Sequence, residues 1–146
     1  MSALPKTYDL ATVIMSFGAP IVGGYADGDF VKITRDTDTY GDHAGADGEV
    51  VRVKSHDRRA TIELMLQATS SVNTYLAELA AEDELFNTAV RPFMLKDIIS
   101  ARMVVEAPMT WIKKQPEIQF GKELGTRTWV LRTNDCEIYA GGYLMP

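Results

Sequence analysis

Residues Asp36-Thr37-Asp38-Thr39-Tyr40-Gly41 open in the manner of a calcium-binding loop, with Asp47 at the twelfth position. Such a loop needs oxygen donors at alternate positions and a bidentate Glu to close the shell. Here the fifth position is Tyr40, the last ligand is Asp, and strand-like runs replace the flanking helices, so the stretch reads as an acidic solvated loop. Acid–base chemistry is no better served. The two histidines, His43 and His56, lie in polar turn-rich stretches, and the Asp27/Asp29 pair has no neighbour in sequence to separate its two pKa values. No serine sits in a nucleophile elbow, and Gly23-Gly24 and Gly141-Gly142 lack the spacing of a phosphate-binding loop. Cys136 is the single cysteine, which excludes an internal disulfide and a Cys-based zinc cluster and makes it a small packed residue. With so little of an active site present, catalysis, cofactor and metal are not expected.

The charge is local. Of the 20 acids and 15 bases in the 146 residues, seven acids and two bases lie between Asp27 and Glu49, leaving thirteen of each elsewhere. That segment carries the whole net charge of −5 and repels phosphates, so a basic nucleic-acid footprint is absent. Arg58-Arg59 and Lys113-Lys114 read as surface or interface charge, because no aromatic side chains are interleaved into a basic stripe. No apolar run reaches the roughly 18–20 residues that span a bilayer, and residues 1–20 lack the pattern of a secretory signal. The length suits one domain, 1–146, in a reducing cytosol.

The elements that position these residues are mainly strands. Runs at Tyr8–Phe17 (closed by Gly18-Ala19-Pro20), Phe30–Arg35, Val50–Ser55 and Ala60–Gln67 are β-branched or alternating. The last two read as a hairpin through His56-Asp57-Arg58-Arg59, with Ile62, Leu64 and Leu66 on the apolar face and Glu63 on the polar one. From Val72 the period becomes helical through Tyr75, Leu76, Leu79, Ala80 and Phe86, which predicts a helix over about residues 71–86. Ser70 or Ser71 can accept from its first amides, and Pro92 bars it from running past Arg91. Glu82, Asp83 and Glu84 oppose the macrodipole there, either as a solvated helix end or as contacts for a partner. Strands return at Phe93–Ile99, Arg102–Glu106, Met109–Phe120 (broken near Pro116) and Thr126–Thr133, and Asn134-Asp135 reads as a tight turn into Cys136–Ala140. The expectation is a mainly β fold, a β-barrel or sandwich with one flanking α-helix and a long polar loop over residues 36–48. Loops of that length and composition are usually functional.

Gly45-Ala46-Asp47-Gly48-Glu49, the run from Ser55-His56-Asp57 to Thr61-Ile62-Glu63-Leu64, and Ser71-Val72-Asn73 leading to Leu76 and Leu79 form a set. With Lys113-Lys114-Gln115-Pro116-Glu117 and Phe120, it resembles the tail tube proteins of bacteriophages, of contractile-tailed type, over about residues 8–143. Arg58-Arg59-Ala60 departs from the pattern, since relatives often carry a glycine in that turn. The resemblance implies a virion tail protein assembled in the host cytoplasm. Six copies would close into a ring, and rings would stack into a hollow conduit for genomic DNA, which passes without specific binding. Tail sheath, baseplate and tail terminator proteins would be its partners. It also implies that a long loop reaches the adjacent ring, which assigns Asp36, Asp38, Tyr40, Asp42, His43 and Asp47 to inter-ring stacking and Glu63 to the lumen. That loop is expected to order only on stacking. The same fold recurs in pyocin and type VI secretion tubes, which are the alternative within this class. A monomeric ligand-binding β-barrel is the alternative outside it.

Overall fold

Strict alternation over Ala60–Gln67 predicts a strand with one face in the core, and its burial follows that pattern without exception. The computed structural model describes residues 13–21, 30–97 and 102–140. In chain order the strands are β1 (Val13–Phe17), β2 (Ala19–Ile21), β3 (Val31–Arg35), β4 (Tyr40–Ala44), β5 (Val50–Lys54) and β6 (Ala60–Gln67). The helix α1 (Val72–Phe86) follows, then β7 (Arg91–Asp97), β8 (Arg102–Lys114), β9 (Thr126–Thr133) and β10 (Glu137–Ile138). The first sequence-predicted strand is described only from Val13. Its N-terminal part, the Asp27/Asp29 and Gly23-Gly24 pairs, the end of the Phe93–Ile99 run and Gly141-Gly142 lie outside the described residues.

One antiparallel sheet runs in the order β2-β1-β7-β8-β9-β6-β3, with β10 also on β8, and β4 pairs only with β5. Among the described residues the fold is mainly β with one helix, as the sequence pattern implies. Met15, Phe17, Ile62, Leu64, Leu66, Phe93, Val105 and Leu131 form one buried cluster with Leu76, Leu79 and Ala80 of α1. The helix is held to the sheet by a buried polar contact. Trp129 Nε1 donates to Asn73 Oδ1 at 2.9 Å, while Asn73 Nδ2 donates to the carbonyls of Gln67 at 2.8 Å and Ser70 at 3.2 Å. Gly18, at φ +72°, folds β1 back into β2 where an added Cβ would stand 2.8 Å from Tyr75 Oη.

The helix begins where Ser70, rather than the N-cap Ser71, accepts from the Val72 amide at 3.3 Å. It stops well short of Pro92, because Asn87 adopts the left-handed conformation (φ 57°) and donates its amide to the Asp83 carbonyl. The acids at this end serve the turn into β7: Glu82 pairs with Arg91 at 3.0 Å, and Asp83 Oδ1 accepts from the Ala89 amide. No helix among the described residues is long and apolar enough to cross a membrane.

Two pairings differ from the sequence expectation. Asn134-Asp135 is not a hairpin turn, because β10 pairs with β8 in the same register as β9: Thr110 faces Thr133 and Glu106 faces Glu137. The two residues interrupt one long edge opposite Pro108 and Met109, where Pro108 has no amide to donate. Thr133 Oγ1 donates instead to the Met109 carbonyl, and β7 also slips register against β8 beside this point. Likewise, β5 does not pair with β6. The ladder from β3 to β6 (Arg35 facing Ala60) continues through the Asp36 amide donating to the Arg59 carbonyl and the Ser55 amide donating to the Thr39 carbonyl. It then runs into β4–β5, with Tyr40 facing Lys54. β3, β4, β5 and β6 are thus one long hairpin, kinked at His56–Arg59 and turning at Gly45–Gly48. Alternation assigns a face to each residue of Val50–Lys54 but carries no information about its partner strand. Part of the stretch read as a loop over 36–48 is therefore strand β4.

Candidate functional site

The distal half of this long hairpin is an arm that pairs with no other strand among the described residues: every residue from Asp36 to Lys54 is exposed. Its turn is well formed. The Gly45 amide donates to the Glu49 carbonyl at 2.8 Å, the Gly48 amide to the Gly45 carbonyl at 3.0 Å, and the Glu49 amide to Asp47 Oδ1 at 3.1 Å, with Gly48 at φ +87°. Tyr40, Asp42, Ala44, Val50, Arg52 and Lys54 share one face, where the Arg52 guanidinium sits 4.2 Å from the Tyr40 ring centroid. The other face carries Gly41, His43, Val51 and Val53. Val50, Val51 and Val53 are 64%, 52% and 56% exposed, an unusual surface for β-branched side chains in a two-stranded ribbon.

The base of the arm is clamped. Arg132 donates to both carboxylate oxygens of Asp36 at 2.6 Å and to Thr61 Oγ1 at 2.7 Å. Thr37 Oγ1 donates to Asp57 Oδ2 at 2.6 Å, and Asp57 also receives the Arg59 guanidinium at 2.9 Å. The hydrogen bond from Arg132 holds the Asp36 carboxyl below its usual range, and those from Arg59 and Thr37 do the same for Asp57. A carboxylate with a depressed folded-state pKa contributes stability that is complete above its ordinary value near 3.8 and is lost as pH falls through the folded value. In an acid titration followed by carboxyl NMR shifts, Asp36 and Asp57 are therefore expected to stay ionised to well below 3.8. Midpoints at or above that value would show that the clamp does not form.

The six arm residues singled out in the sequence divide into three groups. Asp36 belongs to the clamp, and Asp47 builds the turn. Asp38, Tyr40, Asp42 and His43 stand exposed along the arm. Because β4 separates Asp36 from Asp47 by about 17 Å at the usual strand rise, they cannot close around one cation. His43 lies on the arm and His56 at the kink. Cys136 is buried, which pushes its thiol pKa up; its amide donates to the Arg58 carbonyl and its carbonyl accepts from Arg35. Glu63 is half-buried on the outward face of β6, directly between Lys32 of β3 and Val130 of β9. Sequence reasoning missed Arg132 as the arm's anchor, 96 residues from Asp36, and paired the strand carrying Val51 and Val53 with Ala60–Gln67. It also placed Phe120 in a strand, whereas Ile118, Phe120 and Leu124 lie on the β8–β9 loop at 63%, 85% and 61% exposure.

Among known proteins, residues 7–141 match the family described as Bacteriophage PhiTE tail tube protein. "Structural protein ORF10" of Pseudomonas phage KPP10 is 27% identical over 150 residues, covering 97% of this chain and 86% of that protein. The sheath/tube terminator of an extracellular contractile injection system (PVC, extended state) superposes with a TM-score of 0.64 at 12% identity, over 94% of this chain and 100% of that one. The tube terminating cap of the anti-feeding prophage superposes at 0.63 and 11% identity, over 97% and 96%. These two structures share the fold.

Proposed function

This chain belongs to the bacteriophage PhiTE tail tube protein family, and from that premise we propose that it is the non-enzymatic repeating subunit of a hollow tail conduit. Six copies of the 1–146 domain close into a ring, rings stack, and DNA passes through the lumen. The tube is assembled in the host cytoplasm alongside sheath, baseplate and terminator proteins and resides in the virion tail. The observation that carries the reading is the arm, a formed hairpin clamped at its base and fully exposed beyond it. A two-stranded ribbon with three exposed valines gains no burial from the described residues of its own chain beyond its base, and a neighbouring copy supplies that burial. Asp38, Tyr40, Asp42 and His43 are then stacking residues, with Asp36 and Asp47 holding the arm in shape.

The outward face of β3-β6-β9 suits a lumen. Lys32 faces Glu63, and Arg132 is answered by Asp36, so each fixed charge has its counter-charge beside it. A lining that is nearly neutral in this way gives DNA no run of cations to release its counterions against. Glu63 accordingly sits in the lumen as one half of an opposite-charge pair. Negative-stain microscopy of concentrated protein, seeded and unseeded, is expected to show hollow filaments of uniform width. Solitary particles under every condition would overturn the reading.

A further inference from the structure

Two exposed apolar features of the described residues, the arm valines and the β8–β9 loop, lie at opposite ends of one sheet. Strand β6 leaves the arm at Ala60, paired with Thr133, and reaches Gln67, paired with Thr126, about 23 Å away at the usual strand rise. The β8–β9 loop, residues 115–125, joins the sheet at that far end, where the Ala68 amide donates to the Gly125 carbonyl. Ile118, Phe120 and Leu124 project from it. Beside it lies a groove of about 430 Å³ lined by Ala68, Ser70, Ala77, Ile118, Arg127 and Trp129.

Charge follows the same polarity. Residues 41–51, the outer arm, hold Asp42, Asp47 and Glu49 and no Lys or Arg, with Arg52 facing Asp42 just beyond. Residues 113–127 hold four cations (Lys113, Lys114, Lys122, Arg127) against Glu117 and Glu123. One end of the chain is thus acidic with a valine face, and the other is basic with an aromatic and aliphatic knob. Two such ends on one molecule are complementary between copies and cannot meet within one copy.

We propose that the arm of one copy docks on the β8–β9 loop of a second copy. In this contact Val51 and Val53 meet Ile118, Phe120 and Leu124, and the tip acids meet Lys114 and Lys122. This deepens the stacking reading and rests on it. The contact is heterologous, the donor surface differing from the acceptor surface, so each copy added presents the same free arm and the series continues without closing. Its apolar part contributes the cohesion, while its charges set polarity and reject arm-to-arm pairing.

A charge exchange tests it. His43→Lys with Glu49→Lys makes the valine face of the arm basic, and Lys114→Glu with Lys122→Glu makes the loop end acidic; all four residues are exposed. Each double variant alone is expected to melt as the parent does and to form no tubes. Mixed in equal amounts they are expected to copolymerise, because the reversed arm then finds the reversed loop and the native arm the native loop. Variants that polymerise alone as the parent does, or a mixture as inert as its folded components, would overturn the proposal. As a second measurement, Val51→Cys with Phe120→Cys in one chain is expected to give a ladder of covalent multimers when assembled tubes are oxidised. Tubes that stay monomeric on oxidation, in a protein that needs its arm to polymerise, would sink the loop as acceptor and leave stacking intact. Tubes formed normally without any arm would remove the stacking reading itself.

Discussion

A subunit in which Asn-Gly replaces residues 39–55 is expected to fold and melt like the parent and to form no tubes at any concentration. The arm's side chains are exposed from Tyr40 to Lys54, so their removal uncovers almost no apolar surface and forfeits almost none of the roughly 25 cal/mol per Å² that burial supplies. The clamp survives, because Asp36, Thr37, Asp57, Arg59 and Arg132 all lie outside the excised segment. Asn-Gly supplies the positive-φ positions a tight reversal needs. What disappears is the only described segment paired solely with itself and supported by no other element. Far-UV circular dichroism and thermal melting report the fold, and electron microscopy with sedimentation reports polymerisation. A subunit without its arm that still builds normal tubes would falsify the stacking role, whereas one that fails to fold would show that the arm stabilises the subunit itself.

The second large effect concerns the attachment of the helix. Asn73 is 6% exposed and uses its side chain in three hydrogen bonds, accepting from Trp129 and donating to the Gln67 and Ser70 carbonyls. Asn73→Ala leaves the indole N–H, itself on a residue 2% exposed, without its partner in an apolar setting. Orphaning buried groups costs about 1–3 kcal/mol each, so a loss of about 2–4 kcal/mol is expected. For a chain of this size that corresponds to a fall in melting temperature of about 6–12 °C. Trp129→Phe removes the donor together with part of the packing, and the double variant is expected to lose clearly less than the two single losses added. Additive losses in urea melts would mean that the three bonds do not act as a unit. The result also bears on assembly, because Asn73 fixes the start of α1 beside the groove next to the β8–β9 loop.

Much was legible from local pattern. The alternation of Ala60–Gln67 and Thr126–Thr133 follows from the two-residue period of a strand, and these segments pair with each other along their full length inside the sheet. The helix over Val72–Phe86 follows from the spacing of Val72, Leu76, Leu79 and Ala80. The acidic, glycine-rich stretch around Asp36–Gly48 marked the place where the chain invests in something other than its core. Within that stretch, the turn residues Gly45 and Gly48 were visible, but the strand leading into them was not. Tyr-Gly-Asp-His-Ala has neither the apolar face nor the β-branched content that identifies a strand, and it pairs only because Val50–Lys54 lies opposite.

By itself, then, the sequence determined the faces: which side of the core strands is apolar, where the helix runs, and which segment carries the excess negative charge. Those properties depend on neighbours within a few residues, and a repeating backbone geometry converts them directly into burial. Tertiary structure alone decided the partners. It joined β4 to β5 and set β10 along β8, brought Arg132 to Asp36 across 96 residues, and placed the arm and the β8–β9 loop at opposite ends of one sheet. The physical reason is that strand pairing and ion pairing link segments distant in the chain, and a period of two carries no address for the strand across the ladder.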